Sequence, residues 1–390
     1  MQKNKIIITC ARNIETFLKS ELAVLGFPVI NTAIAHVETE GTMDDTMTFN
    51  FHLRTAHRVL FLISEFTAED PDELYRKLFK LDWEKYIFED GYISITSSVD
   101  NPYIKDSRFA NLKCKDAIVD RINRKSGQRP DSGPLRDRAV IHLYWKENEC
   151  AVYLDTSGES LSKRGYRKIP LKAPMQETLA SAVLMAAGWK GDGNFVNPMC
   201  GSGTLAIEAA LIALNRAPGL LRNNYGFMHI KGFNEKLWNE LRKKGKAGSL
   251  KTLKGKIIAT DKDRQAVNAA KNNAETAGVA HLIDFDVCDY ADTHLPEVSK
   301  DSRGMVIFNP EYGERLGDIN KLEAVYEGMG DFLKQKCKGY MGYIFTGNME
   351  LAKKIGLRAK RRIPFFNSTI ECRLLEYELY EGSRDTKKVK

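Results

Sequence analysis

At 390 residues and 43% hydrophobic content, the chain is too long for one ordinary domain and carries enough apolar material for at least two buried cores. It has no run of eighteen apolar residues, and its start, Met1-Gln2-Lys3-Asn4-Lys5-Ile6, lacks the apolar segment and cleavage site of a signal peptide. Membrane-spanning and secreted classes are therefore set aside and a cytoplasmic location is expected; the net charge of +8 leaves a polyanionic partner open.

The first part reads as a small α+β unit: strand 6–10, an amphipathic helix 14–25 ended by Gly26, and strands near 29–34 and 35–40. Residues 44–58 look helical and 59–63 strand-like, and Asp70-Pro71-Asp72-Glu73 opens a helix over 74–79. Then come strand 92–96, helix 111–123, and strands 139–145 and 149–155 as a hairpin. The segment 157–174, rich in Ser, Gly, Lys, Arg and Pro, places a domain boundary there.

From Gln176 long helices alternate with short apolar strands: helix 176–187, strand 195–196, helix 204–214, strand 256–260, helix 263–276, strands near 283–286 and 304–308, helix 318–336, strand 339–345 and helix 348–356. This predicts an α/β fold with a mostly parallel sheet covered on both faces. Two final strands, 361–366 and 371–380, form an antiparallel edge hairpin, and the polar tail 382–390 is expected to be disordered.

Charge and cysteine add two constraints. Residues 1–160 hold 21 Lys/Arg against 25 Asp/Glu, yet within them residues 102–138 hold ten basic groups against five acids, among them Lys113, Arg121, Arg124 and Lys125. Such a patch suits a polyphosphate through counterion release, although a charge run is more often a solvated face. The seven cysteines are scattered, with no CxxC pair and no histidine at zinc-ligand spacing, so reduced thiols and no metal are expected.

The strand ending at Val196 runs into Asn197-Pro198-Met199-Cys200-Gly201-Ser202-Gly203-Thr204, and glycines at a strand-to-helix turn let a ligand lie against the backbone. The next strand ends in Asp261, placed to accept from ribose hydroxyls, and a third ends at Asp289, an acid for an adenine amine. Dinucleotide folds use three glycines and an acid about twenty residues on; the longer gap and missing third glycine favour S-adenosylmethionine over NAD.

After the fourth strand comes Asn309-Pro310-Glu311-Tyr312. An exocyclic amine on a base is a poor nucleophile because its lone pair is shared with the ring. The Asn309 side-chain oxygen and the Pro310 main-chain oxygen could accept its two protons, with Tyr312 stacking on the base. A paired base cannot reach such a pocket, so the target is single-stranded or flipped out.

Together the loop 197–204, Leu154 to Leu161, Lys163-Arg164-Gly165-Tyr166-Arg167, Ala173 to Leu179, Asn215 to Leu220, Asn309 to Leu316 and Phe366 to Leu374 resemble the THUMP-domain-containing RNA guanine-N2 methyltransferases. The likeness is strongest to the amino-terminal half of the fused 23S rRNA enzyme and covers nearly the whole chain. It implies a ferredoxin-like unit and a THUMP RNA-binding domain (about 44–155) within residues 1–160. A Rossmann-like class I methyltransferase domain over 165–382 follows. The implied substrate is guanine N2 in large-subunit rRNA or its assembly precursor, with no obligatory protein partner evident. The implied cofactor contacts are Thr178, Asn197, Met199, Cys200, Gly201, Gly203, Thr204, Asp261 and Asp289. The implied RNA contacts are Arg164, Arg167, Lys113, Arg121, Arg124 and Lys125, with pinning of the two regions an equal reading for Arg164 and Arg167.

The family loop usually reads Asn-Pro-Pro-Tyr where Glu311 stands here, a residue read as facing solvent, and Ser368 stands where a glycine is common. Two rivals remain: a DNA adenine-N6 methyltransferase, which would use the same loop, and a non-catalytic RNA-binding assembly factor.

Overall fold

The computed structural model describes residues 3–102, 104, 106–169, 171, 174–298, 303–312 and 319–379. The tail 382–390, Lys105 of the basic patch and the 313–316 end of the reaction loop lie outside these described residues. The chain divides into two units: Met1–Arg164 with Ala217–Ala247, and Gly165–Arg216 with Gly248–Lys390.

The first unit opens with β1 (Asn4–Cys10), α1 (Glu15–Val24), β2 (Asn31–Ala33), β3 (His36–Gly41), α2 (Met43–His52) and β4 (Ala56–Thr67). In β1 the period-2 residues Ile6 and Ile8 are fully buried, as a half-covered strand requires. A capping box between Thr42 and Asp45 starts α2. That helix stops at His52, short of the expected 58. Glu21 of α1 takes the N–H groups of Arg54 and Thr55 at 2.6 and 3.1 Å, and the chain turns into a strand.

Next come α3 (Pro71–Phe79), capped by Asp70 with Pro71 in its first turn, β5 (Tyr92–Asp100) and α4 (Ser107–Ser126). Strands β6 (Asp131–Ser132), β7 (Ala139–Lys146) and β8 (Glu149–Asp155) complete the sheet, whose order is β2-β3-β1-β4-β8-β7-β5-β6. β4 outgrows its apolar stretch 59–63 because it pairs β1 on one side and β8 on the other, through Ile6↔Phe61 and Phe61↔Leu154.

The second unit holds α5 (Glu177–Ala186), β9 (Phe195–Pro198) and α6 (Thr204–Ala213). After Arg216 the chain joins the first unit, where it forms α7 (Glu235–Ala247), and then returns as β10 (Ile257–Asp261). The linear reading of 165–382 as one domain contains neither this excursion nor this helix. What draws it to the first unit is aromatic packing: Trp238 stands edge-on to Phe51, Phe227 and Tyr225, with centroids 5.7, 5.0 and 5.3 Å away. Gly245 is required beside them, since a Cβ there would lie 2.4 Å from the Phe51 ring. The overlooked signal is Trp238, Leu241 and Gly245 at helical spacing within a charged segment.

The remaining elements are α8 (Arg264–Ala277), β11 (Ile283–Val287), β12 (Gly304–Phe308), α9 (Ile319–Lys336), β13 (Tyr340–Thr346), α10 (Met349–Lys354), β14 (Arg361–Asn367) and β15 (Ile370–Glu378). The sheet order is β11-β10-β9-β12-β13-β15-β14, parallel from β11 to β13, with β15 and β14 antiparallel. Strand order reverses between β9 and β12, so their carboxyl ends flank the crevice where open α/β sheets bind ligands.

Candidate active site

Both sequence-predicted loops lie at that crevice. The Asn197 Nδ2 donates to Ile307 O at 2.9 Å and ties the end of β9 to the end of β12. Its Oδ1 is buried with no hydrogen-bond partner among the described residues, and the same holds for Oδ1 of Asn309. Buried polar atoms are nearly always satisfied, and leaving an acceptor unpaired costs about 1–3 kcal/mol. The two acceptors stand at the ends of the two central strands.

The glycine loop is held from three sides. Met199 (φ 58°), Gly201 (φ 54°) and Gly203 (φ 81°) are left-handed, Gly203 preceding the first turn of α6. Cys200 N donates to Thr260 O at 2.9 Å, and Gly201 N donates to Asp261 Oδ2 at 3.0 Å. The two glycines differ in purpose. A Cβ on Gly203 would lie 2.8 Å from the Ala270 Cβ in α8, whereas a Cβ on Gly201 would meet nothing within 4 Å. Gly203 serves packing, and Gly201 bares its backbone to open space.

Asp261 also accepts from Asp263 N at 3.0 Å through Oδ1, so it organises the loop in addition to presenting a carboxylate beside it. Asp289 is exposed and caps the turn after β11, taking Ala291 N at 3.0 Å. Thr178 is fully buried in the first turn of α5, and the Thr204 hydroxyl accepts from Arg167 at 3.1 Å. Burial pushes the Cys200 thiol up, so it stays protonated and unreactive.

On the other side of the crevice, Tyr312 is set by contacts the sequence did not reveal. Asn367 Nδ2 donates to its hydroxyl at 2.8 Å, Phe345 meets its ring edge-on at 6.2 Å, and Gly347 leaves the ring room that a Cβ, 2.8 Å from Cδ2, would take. Burial pushes its phenol up, so it is protonated at neutral pH. The buried Tyr326 shares a hydrogen bond with Thr346 Oγ1 at 2.7 Å and donates to Glu311 O at 3.4 Å, holding the loop backbone. The Glu311 side chain is exposed.

Beneath the glycine loop, Asn273 of α8 donates to Ser202 O at 3.1 Å and accepts from Lys168 N at 2.9 Å. Buried Glu208 accepts from Tyr166 at 3.0 Å and Ser181 at 2.7 Å. No short-range pattern marks such residues, because each acts through a partner 27 to 105 positions away.

The residues expected to contact RNA differ in exposure. Arg164 is only 1% exposed and donates to Arg54 O at 2.7 Å, the arrangement of the two weighed that pins the chain. Arg167 is pinned within the second unit, donating to Met175 O at 2.6 Å and standing 3.3 Å from Glu177. Lys113 pairs with Asp72 and Arg121 with Asp82 and Glu84. Arg124 and Lys125 are exposed, Arg124 lying over the Phe79 ring.

Three family models match the chain: the RMKL-like methyltransferase domain over residues 164–376, the RlmL ferredoxin-like domain over 5–60 and the THUMP domain over 68–155. The THUMP match starts at 68 instead of about 44, since α2 and the first half of β4 build the ferredoxin-like part. The ribosomal RNA large subunit methyltransferase K/L of Syntrophotalea carbinolica is 37% identical over 97% of this chain and 54% of its own length. The chain thus spans about half the length of the K/L relatives it matches. A candidate RNA methyltransferase of Synechocystis, slr0064, is 36% identical over 95% of this chain and 96% of its own. The methyltransferase-like SMU.472, crystallised with SAH, superposes with a TM-score of 0.87 at 27% identity, covering 98% of this chain and 100% of that one. A Listeria monocytogenes protein named as a predicted N6-adenine-specific DNA methylase gives 0.84 at 29% identity, covering 97% of both chains.

Proposed function

Because the chain belongs to the RMKL-like methyltransferase family, with RlmL ferredoxin-like and THUMP domains ahead of the catalytic one, we propose that it methylates the exocyclic N2 amine of a guanine in 23S rRNA, using S-adenosylmethionine. The observation that carries this reading is the buried Oδ1 of Asn309 at the end of β12, which has no hydrogen-bond partner among the described residues.

The residues present fit the cofactor. The orphaned Asn197 Oδ1 is an acceptor for an ammonium, the backbone face at Gly201 is open, and Asp261 offers a carboxylate to ribose hydroxyls. Met199, Cys200, Gly203 and Thr204 shape the same turn, with Thr178 and Asp289 at its borders. When bound, S-adenosylmethionine supplies a methyl group already activated by its sulfonium. The protein's part is orientation and electrostatics.

Asn309 Oδ1 and Pro310 O take the two amine protons of the base as hydrogen bonds, which turns the nitrogen lone pair out of conjugation with the ring. Tyr312 forms the wall against which the base lies, and its hydroxyl is anchored by Asn367, so the ring keeps its place. An Asn oxygen that has no internal partner loses nothing when it binds the amine, whereas a satisfied one would first break a bond. The target guanine is unpaired or flipped out, and the reaction belongs to cytoplasmic ribosome maturation.

A second reading, adenine-N6 methylation of DNA, is favoured by the name of the Listeria neighbour and would use the same acceptors. Purified chain, labelled S-adenosylmethionine and either 23S rRNA or plasmid DNA separate the two. Label recovered as N2-methylguanosine supports the proposal; label only in DNA as N6-methyladenine overturns it.

A further inference from the structure

The excursion Ala217–Ala247 is strongly basic, with seven Lys/Arg against two Asp/Glu. Three of the seven are committed internally. Arg222 donates to Ser157 O and Ser160 O and lies over Tyr225, Lys231 pairs with Glu89 at 2.6 Å, and Arg242 donates to Arg222 O at 2.9 Å. The other four, Lys236, Lys243, Lys244 and Lys246, are exposed and have no ion pair among the described residues.

Their placement on α7 is regular. Trp238, Leu241 and Gly245 share the face turned to Phe51, and at 100° per residue Lys236 and Lys243 fall on the opposite face with Asn239 and Glu240, while Lys246 lies at its edge, so cations outnumber the acid there three to one. The stripe runs roughly 15 Å along the helix, from ten residues at about 1.5 Å each. Its backbone is rigid, since the aromatic cluster and the close Gly245 approach fix the helix to α2.

Cations on α4 present a different picture. Arg108, Lys113, Lys115 and Arg121 each stand beside a carboxylate, as does Arg129 just beyond the helix, so half of the ten cations at 102–138 are paired, while Arg124, Lys125, Arg136 and Arg138 are exposed with no ion pair among the described residues. On α7, lysines 243 and 246, one turn apart, repel each other, and a bound anion relieves that repulsion.

We infer that α7 is a contact surface for the RNA phosphate backbone, with Lys236, Lys243 and Lys246 as its main cations. The inference rests on the substrate being RNA, as proposed above. It identifies the inserted segment as a source of sequence-independent RNA affinity in the first unit.

The test is binding of full-length chain to a 23S rRNA transcript across a salt series. The triple variant Lys236→Ala, Lys243→Ala, Lys246→Ala keeps the helix, since alanine is the best helix former. Each lost phosphate contact removes roughly 0.7 to 0.9 from the slope of log K against log salt, so the slope falls by about 2 and low-salt affinity by on the order of 10- to 100-fold. S-adenosylmethionine affinity stays at the wild-type value, and the Lys→Arg triple keeps the slope. An unchanged slope in the alanine triple, while wild type binds and methylates the transcript, overturns this inference alone. A slope that falls instead in Lys113→Ala, Arg121→Ala also overturns it. Wild-type chain that neither binds nor methylates rRNA overturns the underlying function as well.

Discussion

Substituting the two glycines of the 197–204 loop separately tests how the loop is built and what it is for. Gly203→Ala places a Cβ 2.8 Å from the Ala270 Cβ and 3.2 Å from its Cα, at φ 81°. The left-handed backbone costs an L-residue about 1–2 kcal/mol, and forcing a methyl into packed helix α8 adds about 1–3 kcal/mol. The loss of about 2–5 kcal/mol is large against the roughly 5–15 kcal/mol stability of a typical protein. Gly201→Ala meets nothing within 4 Å, so only the backbone cost of about 1–2 kcal/mol applies. Its methyl does, however, enter the space where the cofactor is to lie, and cofactor affinity should drop about tenfold or more, equivalent to about 1.4 kcal/mol. Chemical denaturation of both variants, with calorimetric titration of S-adenosylhomocysteine into Gly201→Ala, gives both numbers. Affinity within twofold of wild type in Gly201→Ala would show that the cofactor does not lie on this loop. Equal stability of the two variants would refute the packing argument for Gly203.

Other outcomes follow from the same contacts. Asn367→Ala frees the Tyr312 hydroxyl and Gly347→Ala pushes its ring, so both should lower kcat about tenfold or more with cofactor affinity unchanged; steady-state kinetics on rRNA checks this. Trp238→Ala should destabilise the first unit by about 3–5 kcal/mol, visible as increased proteolysis of residues 217–247. His142, on β7, has its pKa pushed down to about 4, chiefly by burial and further by Arg58 and Arg136. Its depressed pKa means that the unfolded chain takes up a proton below about pH 6.5 while the native chain does not. Stability contributed by neutral His142 is therefore complete above that pH and is lost as pH falls from 6.5 towards 4, by on the order of 1–3 kcal/mol. Urea denaturation of wild type and His142→Gln between pH 7 and 4 should show a shallower decline in the variant.

Much of the architecture was legible because periodicity reports burial directly. The β12 strand was read at its observed bounds, and α8 matched within one residue at each end, from Asp263 as cap to Gly278 as left-handed stop. What failed depended on distant partners. The helix read over 44–58 is cut by Glu21, more than thirty residues away. α7 was overlooked because its single buried residue, Trp238, sits in a strongly charged stretch whose burial depends on Phe51. For Arg164 the sequence left phosphate binding and pinning equally open, and its guanidinium finds a main-chain oxygen 110 residues away.

The positions of the two loops at strand ends were legible, because each follows a short apolar strand; the residues that hold them were not. Asn273, Tyr326 and Asn367 carry no local signature, and each works through a hydrogen bond that only the folded sheet brings within reach. Ser368 at φ 58° shows the reverse case. A glycine-favouring position is visible in the sequence as a departure, and the fold tolerates it in the β14–β15 turn.

The central claim is that Asn309 presents to a guanine amine an oxygen that has no partner among the described residues. The most direct measurement is nucleoside mass spectrometry of large-subunit rRNA from cells lacking this gene, complemented with either wild-type chain or Asn309→Ala. The account predicts loss of one N2-methylguanosine on deletion, its return with wild type, and its continued absence with Asn309→Ala expressed at wild-type level with wild-type cofactor affinity. Full restoration by Asn309→Ala, or an rRNA profile unaffected by deletion, would contradict it.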